Sequence, residues 1–538
     1  MGVRGDTRTS VSPPSFRPGE GTASATKRRP NRRTTLGEAF GLWFAGDFEL
    51  CLDACDAITD TAPATREQVA LLRARALLRL ERAPEALRVL DAFAWPQRGD
   101  EAVTARMLTG AALIRSDEVT RGLAVLDSLQ DEAHDAHPTI QSEIALNRAL
   151  GHFCRREVDA ADRALSLVAT SADIIYARAL EYRGWIACAR EKYALAASYF
   201  HAALDHLDTC KHYDRYMEAN CAQVLATLSV ERLDLETWRV VVARRAKIDW
   251  SAQDIQRHRF WIALCAATYA YEIDGAELAA VTEARLAETI APTPAARVEA
   301  LCRRAATAGR AEERLAQRDH TGAAYDLFVT LDAARFENYD KFVPLILAKE
   351  LAIAGRVEEA GRVFALYKAY PHTSPLLAVT GDPTRYGFEK LVEGFIAQAA
   401  DKRTVAHHAY LASFVTFRRI DYKRRAVHAA LRLGWLLNEQ ELFDYADKTT
   451  RHLPARSWLR QQVESIPTDV IVRGLQPAQR DVLHLLCTGM TVEEIAASRN
   501  RSPKTIANTV TAIYRAFTVR NRAELLNELL RRGIIKPA

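Results

Sequence analysis

One local pattern recurs along this chain at a nearly fixed interval, and it limits the fold more than any other feature. A short polar or basic turn is followed by an apolar residue and, three positions later, by a small one. Copies run from Gly46 to Cys51, Arg82 to Ala86, Asp117 to Gly122, Arg156 to Ala161 and Glu191 to Ala196. A late copy spans Gly355 to Ala360. The small residues of the first five stand 35, 36, 39 and 35 positions apart. Between the turns the apolar period is helical, as in Gln68–Leu80. Each unit therefore reads helix, turn, helix. A single helical hairpin carries two apolar faces and cannot bury both, so such units must stack. The small residue lets two helices approach closely, and the apolar residue before it fills the groove between pairs.

The unit resembles the tetratricopeptide repeat (TPR) and its degenerate relatives. From about 200 to 340 the spacing stretches to about 40 residues, so that region is read as TPR-like. The resemblance implies a superhelix with a concave groove open to a protein or small-molecule ligand. Composition agrees, because Ala, Leu, Arg and Glu crowd the text and favour helix over strand. The expected organisation is a disordered basic tail (1–33), a TPR-like sensor or partner-binding array (34–452), a linker (453–474) and a compact helical module (475–538). The linker is read from Pro454, Ser465 and Pro467, where the pattern loosens.

Charge is divided along the chain. Residues 1–33 hold eight Lys/Arg and two Asp/Glu, net +6, and residues 471–538 hold eleven and five, also net +6. The total is +5, so the middle carries 5 − 12 = −7. A basic C-terminus suits a polyanion, and an acidic array suits something else.

Several function classes have no support. The chain contains no Gly-Lys dipeptide and so no P-loop, and neither HExxH nor GxSxG occurs. The expectation is a protein that is not an enzyme and holds no cofactor and no metal. No apolar run reaches the ~18 residues of a membrane span. The nine cysteines are scattered without a CxxC pair, which suits a cytoplasmic location.

The C-terminal module reads as four capped helices. Pro477 opens the first, which closes at Gly489. Thr491 and Glu494 form a capping box for the second, ending near Ser498. Ser502 and Pro503 open the third, which runs to about Phe517, and Asn521 caps a fourth that ends near Gly533. Two helices joined by a three- or four-residue turn make a helix-turn-helix. On the third helix Ile506, Val510, Ile513 and Phe517 form one apolar stripe. The opposite face shows Lys504, Asn508, Thr511 and Arg515, with no acid and no bulky apolar group. Such a face suits phosphates and base edges.

At these residues a family resemblance emerges. Leu475–Leu486, Gly489–Ala497, Ser502–Val510 and Val519–Leu525 are similar to the successive anchors of the LuxR-type (GerE/NarL-like) DNA-binding domain. The resemblance implies a bacterial transcription regulator that reads double-stranded promoter DNA in the major groove, often as a homodimer through its last helix. The fold class expected is all-α: a TPR-like superhelix followed by a four-helix LuxR-type module. Asn508 and Thr511 are expected to read bases, and Lys504 to reach a base or a phosphate. Arg501, Thr505, Arg515, Arg520 and Arg522 are expected to hold phosphates, while Asp481 and Glu494 look structural. The chain departs from the family at Ala507, Thr509 and Thr511, where Lys, His and Lys are usual. Two alternatives stand beside this reading: a TPR-like scaffold with a weak or vestigial DNA module, and a sigma-factor-like protein.

Overall fold

The computed structural model describes residues 34–535 except 60–61, 172, 212, 253–254, 308–312, 333–341, 370–381 and 468. The basic tail 1–33 lies outside the described residues. Among these residues there is no strand.

The repeat pattern marks a specific turn. Eight times among the described residues the chain ends a helix on a residue with positive φ, and a small buried residue follows five positions later. The pairs are Gly46/Cys51, Glu81/Ala86, Asp117/Gly122, Arg156/Ala161, Glu191/Ala196, Gly355/Ala360, Asp401/Ala406 and Asp421/Ala426. In each turn the next N–H donates back five residues, as in Arg82 N to Leu77 O (2.9 Å) and Tyr422 N to Phe417 O (2.9 Å). This is the backbone closure of a helix that stops on a left-handed residue. The turn reverses the chain, and the small residue is buried where the second helix folds back on the first. The last two copies carry Arg403 and Lys423 where an apolar residue was expected.

Antiparallel hairpins result. The first five are Leu36–Phe44 with Phe48–Ala57, Pro63–Arg79 with Ala83–Asp91, Asp100–Arg115 with Val119–Asp127, Pro138–Cys154 with Val158–Leu165, and Ile174–Ala189 with Tyr193–Leu207. At Gly122 a Cβ would stand 2.6 Å from the Gly110 carbonyl and 2.7 Å from the Ile114 side chain. Gly122→Ala is therefore expected to cost about 1–3 kcal/mol by forcing these helices apart. Urea unfolding followed by circular dichroism reads the change, and an unaltered midpoint rules out the close approach.

The array continues through Arg215–Arg232 to Gln440–Thr450. Its first part curls back on itself. Arg79 donates to both carboxylate oxygens of Asp214 (2.8 Å each), and the buried Arg215 donates to Asp47 (2.6 Å). Residues more than 130 positions apart are thus locked together.

The stretch 453–474 differs from the expected linker. It carries the helices Trp458–Glu464 and Val470–Gly474, and Leu459 and Ser457 are fully buried. Ser457 Oγ donates to the Glu272 carbonyl (2.7 Å), and Arg456 holds the Asp274 carboxylate (2.9 and 3.0 Å). Pro454 and Pro467 mark corners between packed pieces. The segment is a fitted strut because its partners lie about 180 residues earlier, beyond the reach of local pattern.

Candidate nucleic-acid interface

The C-terminal module has its own core. Leu475, just before the first helix, and Val482, Leu483 and Leu486 on it meet Ile495, Ile506, Val510, Ile513, Phe517, Leu525 and Leu529, all buried. The helices are Pro477–Cys487, Val492–Ser498, Pro503–Phe517 and Arg522–Arg531. Their ends follow the capping residues. Gly489 (φ +102°) ends the first. The Thr491 N–H donates to Glu494 (2.7 Å), and the Glu494 N–H donates back to Thr491 Oγ1 (3.3 Å). The turn before the third helix closes on left-handed Asn500, with Arg501 N donating to Ala496 O (2.9 Å). Ser502 Oγ accepts from Thr505 N (3.1 Å), and Pro503 takes the first turn.

These caps set the rotation of the third helix. Ile506, Val510, Ile513 and Phe517 point inward, and Arg501, Lys504, Thr505, Asn508, Thr511 and Arg515 are all exposed. The Thr511 hydroxyl donates to its own helix at Ala507 O (2.9 Å). The Thr505 hydroxyl lies 2.8 Å from Ser502 Oγ. Asn508 has neither hydrogen bond nor ion pair from its side chain among the described residues.

The pairing of the arginines separates binding groups from structural ones. Arg499 bonds Asp481 (2.6 Å), Arg531 bonds Glu528, and Arg532 bonds Glu528 and Asp469 (2.6 and 3.1 Å). Arg473 bonds Gln440, and the Arg480 guanidinium covers the Trp435 ring at 4.2 Å. Arg522 donates to the carbonyls of Leu486 (2.7 Å) and Met490 (3.2 Å), closing the end of the first helix. Its terminal nitrogens are thus turned inward, away from the phosphate role expected from the sequence. Arg501, Lys504, Arg515 and Arg520 make no side-chain bond or ion pair among the described residues. All four are exposed: Lys504 and Arg515 on the third helix, Arg501 just before it and Arg520 just after it. Unpaired cations around a polar, acid-free helix suit a polyanion.

A family model described as "Bacterial regulatory proteins, luxR family" (GerE) matches residues 474–528. Residues 474–528 are a LuxR-family helix-turn-helix domain. No curated protein sequence matches the chain. Among solved structures, the chain is similar to a Rap protein complexed with Competence and Sporulation Factor, at 12% identity and TM-score 0.39. That likeness covers 74% of this chain and 100% of the other. It is also similar to an APC/C Cut9-Hcn1 hetero-tetramer (12% identity, TM-score 0.29, 88% and 95% covered).

The LuxR-family domain is docked on the last array hairpin. Arg480 lies over Trp435, and the buried Arg473 lies 5.3 Å from the centre of the Phe443 ring. Sequence reasoning missed both contacts. Arg480 was in view as part of the first helix, but nothing local points to an aromatic partner 45 residues earlier. The docking leaves the third helix uncovered.

Proposed function

We propose that the chain is a transcription regulator whose Pro503–Phe517 helix reads double-stranded promoter DNA in the major groove. The observation that supports this reading best is the set of four unpaired cations around an exposed, acid-free helix. Asn508 reads a base, since its amide can bond adenine bidentately. Thr511 offers its methyl to thymine, and Lys504 reaches a base or a phosphate. Arg501, Arg515 and Arg520 hold phosphates, and Thr505 adds a contact near the helix start. The protein acts as a homodimer through the Arg522–Arg531 helix, where Leu530 is exposed. The array binds a protein or small-molecule signal, and the chain works in the cytoplasm without catalysis. Among the described residues no helix is long and apolar enough to cross a membrane. No group of three or more His, Cys, Asp or Glu among them could hold a metal.

Gel shift of the full chain on genomic fragments at rising salt tests the proposal. Binding should weaken steeply with salt, with specific fragments surviving longest. No binding at low salt leaves the scaffold reading instead. Asn508→Ala is expected to cost about 1–3 kcal/mol on the preferred fragment and far less on random DNA. Competition titration measures that ratio, and equal losses on both sequences rule out base reading by Asn508.

A further inference from the structure

We infer that the first superhelical turn of the array forms an open-sided chamber for a short peptide with free ends, a reading that rests on the array being the signal-binding part. The turn encloses a cavity of about 610 Å³, within the size range of ligand sites. It is lined mainly by the first helix of each successive pair, with Phe48 added from a second helix, and the Arg79–Asp214 and Arg215–Asp47 contacts join the two ends of the turn.

Three features of the lining point to the ligand. Phe40, Trp43, Phe44 and Phe48 form an aromatic wall at one side, suited to an apolar side chain. Asp100 and Glu101 stand at the start of the Asp100–Arg115 helix and lie within 4 Å of no cation among the described residues. At the far end of the same helix Arg115 has no carboxylate partner among them. Its guanidinium donates only to Ala111 O (3.2 Å) and Asn147 Oδ1 (3.4 Å). Acids in a first turn and a base in the last also suit the helix dipole. What aims them at a ligand is the cavity that both ends line.

The helix acts as a ruler. The 16 residues from Asp100 to Arg115 span about 22 Å at about 1.5 Å per step. An extended chain covers that distance in about six residues. A peptide of this length places its amine at Asp100 and Glu101 and its carboxylate at Arg115. An internal segment of a larger protein has no terminal charges to offer there.

Calorimetry on the full chain with a panel of hexapeptides, each carrying Phe, Leu or Trp at the second or third position, tests this. Each is made with free ends, with an acetylated amine and with an amidated carboxylate. At least one free-ended member should bind in the micromolar range, and either cap should weaken it about tenfold. Arg115→Ala should remove the effect of amidation only, and Glu101→Gln the effect of acetylation only. Arg115→Lys keeps the charge and should keep most of the preference, which guards against a misfolded Ala variant. The inference is overturned if no free-ended hexapeptide binds more tightly than about 1 mM. It is overturned equally if capped and free peptides bind alike. Gel shift on the same chain reads DNA binding separately, so failure of one reading leaves the other visible.

Discussion

Arg424→Met is expected to destabilise the array by about 3–5 kcal/mol, the range for removing one partner from a buried ion network. Arg424 is the centre of such a network. It donates to Glu231 (2.7 Å) and to both oxygens of Glu272 (3.0 Å each). Arg425 adds a bond to Glu231 (2.9 Å), and His428 sits 2.8 Å from Glu272. Glu231 and Glu272 are both buried. The three helical segments involved, Arg215–Arg232, Tyr269–Asp274 and Lys423–Leu437, are far apart in sequence. Methionine fills similar space but leaves each carboxylate with a single partner. Urea unfolding reads the loss, and a midpoint equal to wild type shows that the network does not stabilise.

The same network sets a pH dependence. Burial alone would raise the Glu272 carboxyl, but Arg424 and His428 outweigh it and hold the group well below the usual carboxylate range. A carboxylate depressed in the folded state stabilises fully above its unfolded pKa of about 4.3. That stability is lost as pH falls toward the folded value. The gap between wild type and Arg424→Met should therefore narrow below about pH 4.3. A gap that widens in acid contradicts the assignment.

The second large effect is on DNA. The triple variant Arg501→Ala, Arg515→Ala, Arg520→Ala is expected to lose about 10²–10³-fold in affinity for all sequences at ~0.1 M salt. The salt slope should flatten by about 0.9 for each lost phosphate contact. All three side chains are exposed and unpaired, so thermal stability should not change. Arg522→Ala should behave in the opposite way, lowering stability because the carbonyls of Leu486 and Met490 lose their donor. Fluorescence anisotropy across a salt series, paired with thermal melts, distinguishes the two. An unchanged slope for the triple variant removes these arginines from the interface.

Much of this was legible in the residue order. Thr491, Ser502 and Asn521 cap the helices they were expected to cap. The stripe from Ile506 to Phe517 is buried as its spacing predicts. The small residues at 51, 86, 122, 161 and 196 are all buried. The turns at Asp401 and Asp421 escaped notice because Arg403 and Lys423 replace the apolar cue. The backbone needs only a left-handed residue and a small one five later, and the groove can be filled from another helix. Arg522 was assigned to phosphate because a sequence does not show which carbonyls its guanidinium reaches.

What the sequence by itself determined is local: where helices begin and end, which face of each is apolar, and that a helix-turn-helix closes the chain. Those features rest on hydrogen bonds and side-chain periods within about five residues. Only the tertiary structure decided which charges are paired, that the array closes through Arg79 and Asp214, and that Arg480 docks on Trp435. Such contacts depend on small rotations that accumulate from hairpin to hairpin. No single repeat encodes that sum, so the chamber, the buried network and the docking appear only when the whole superhelix is assembled.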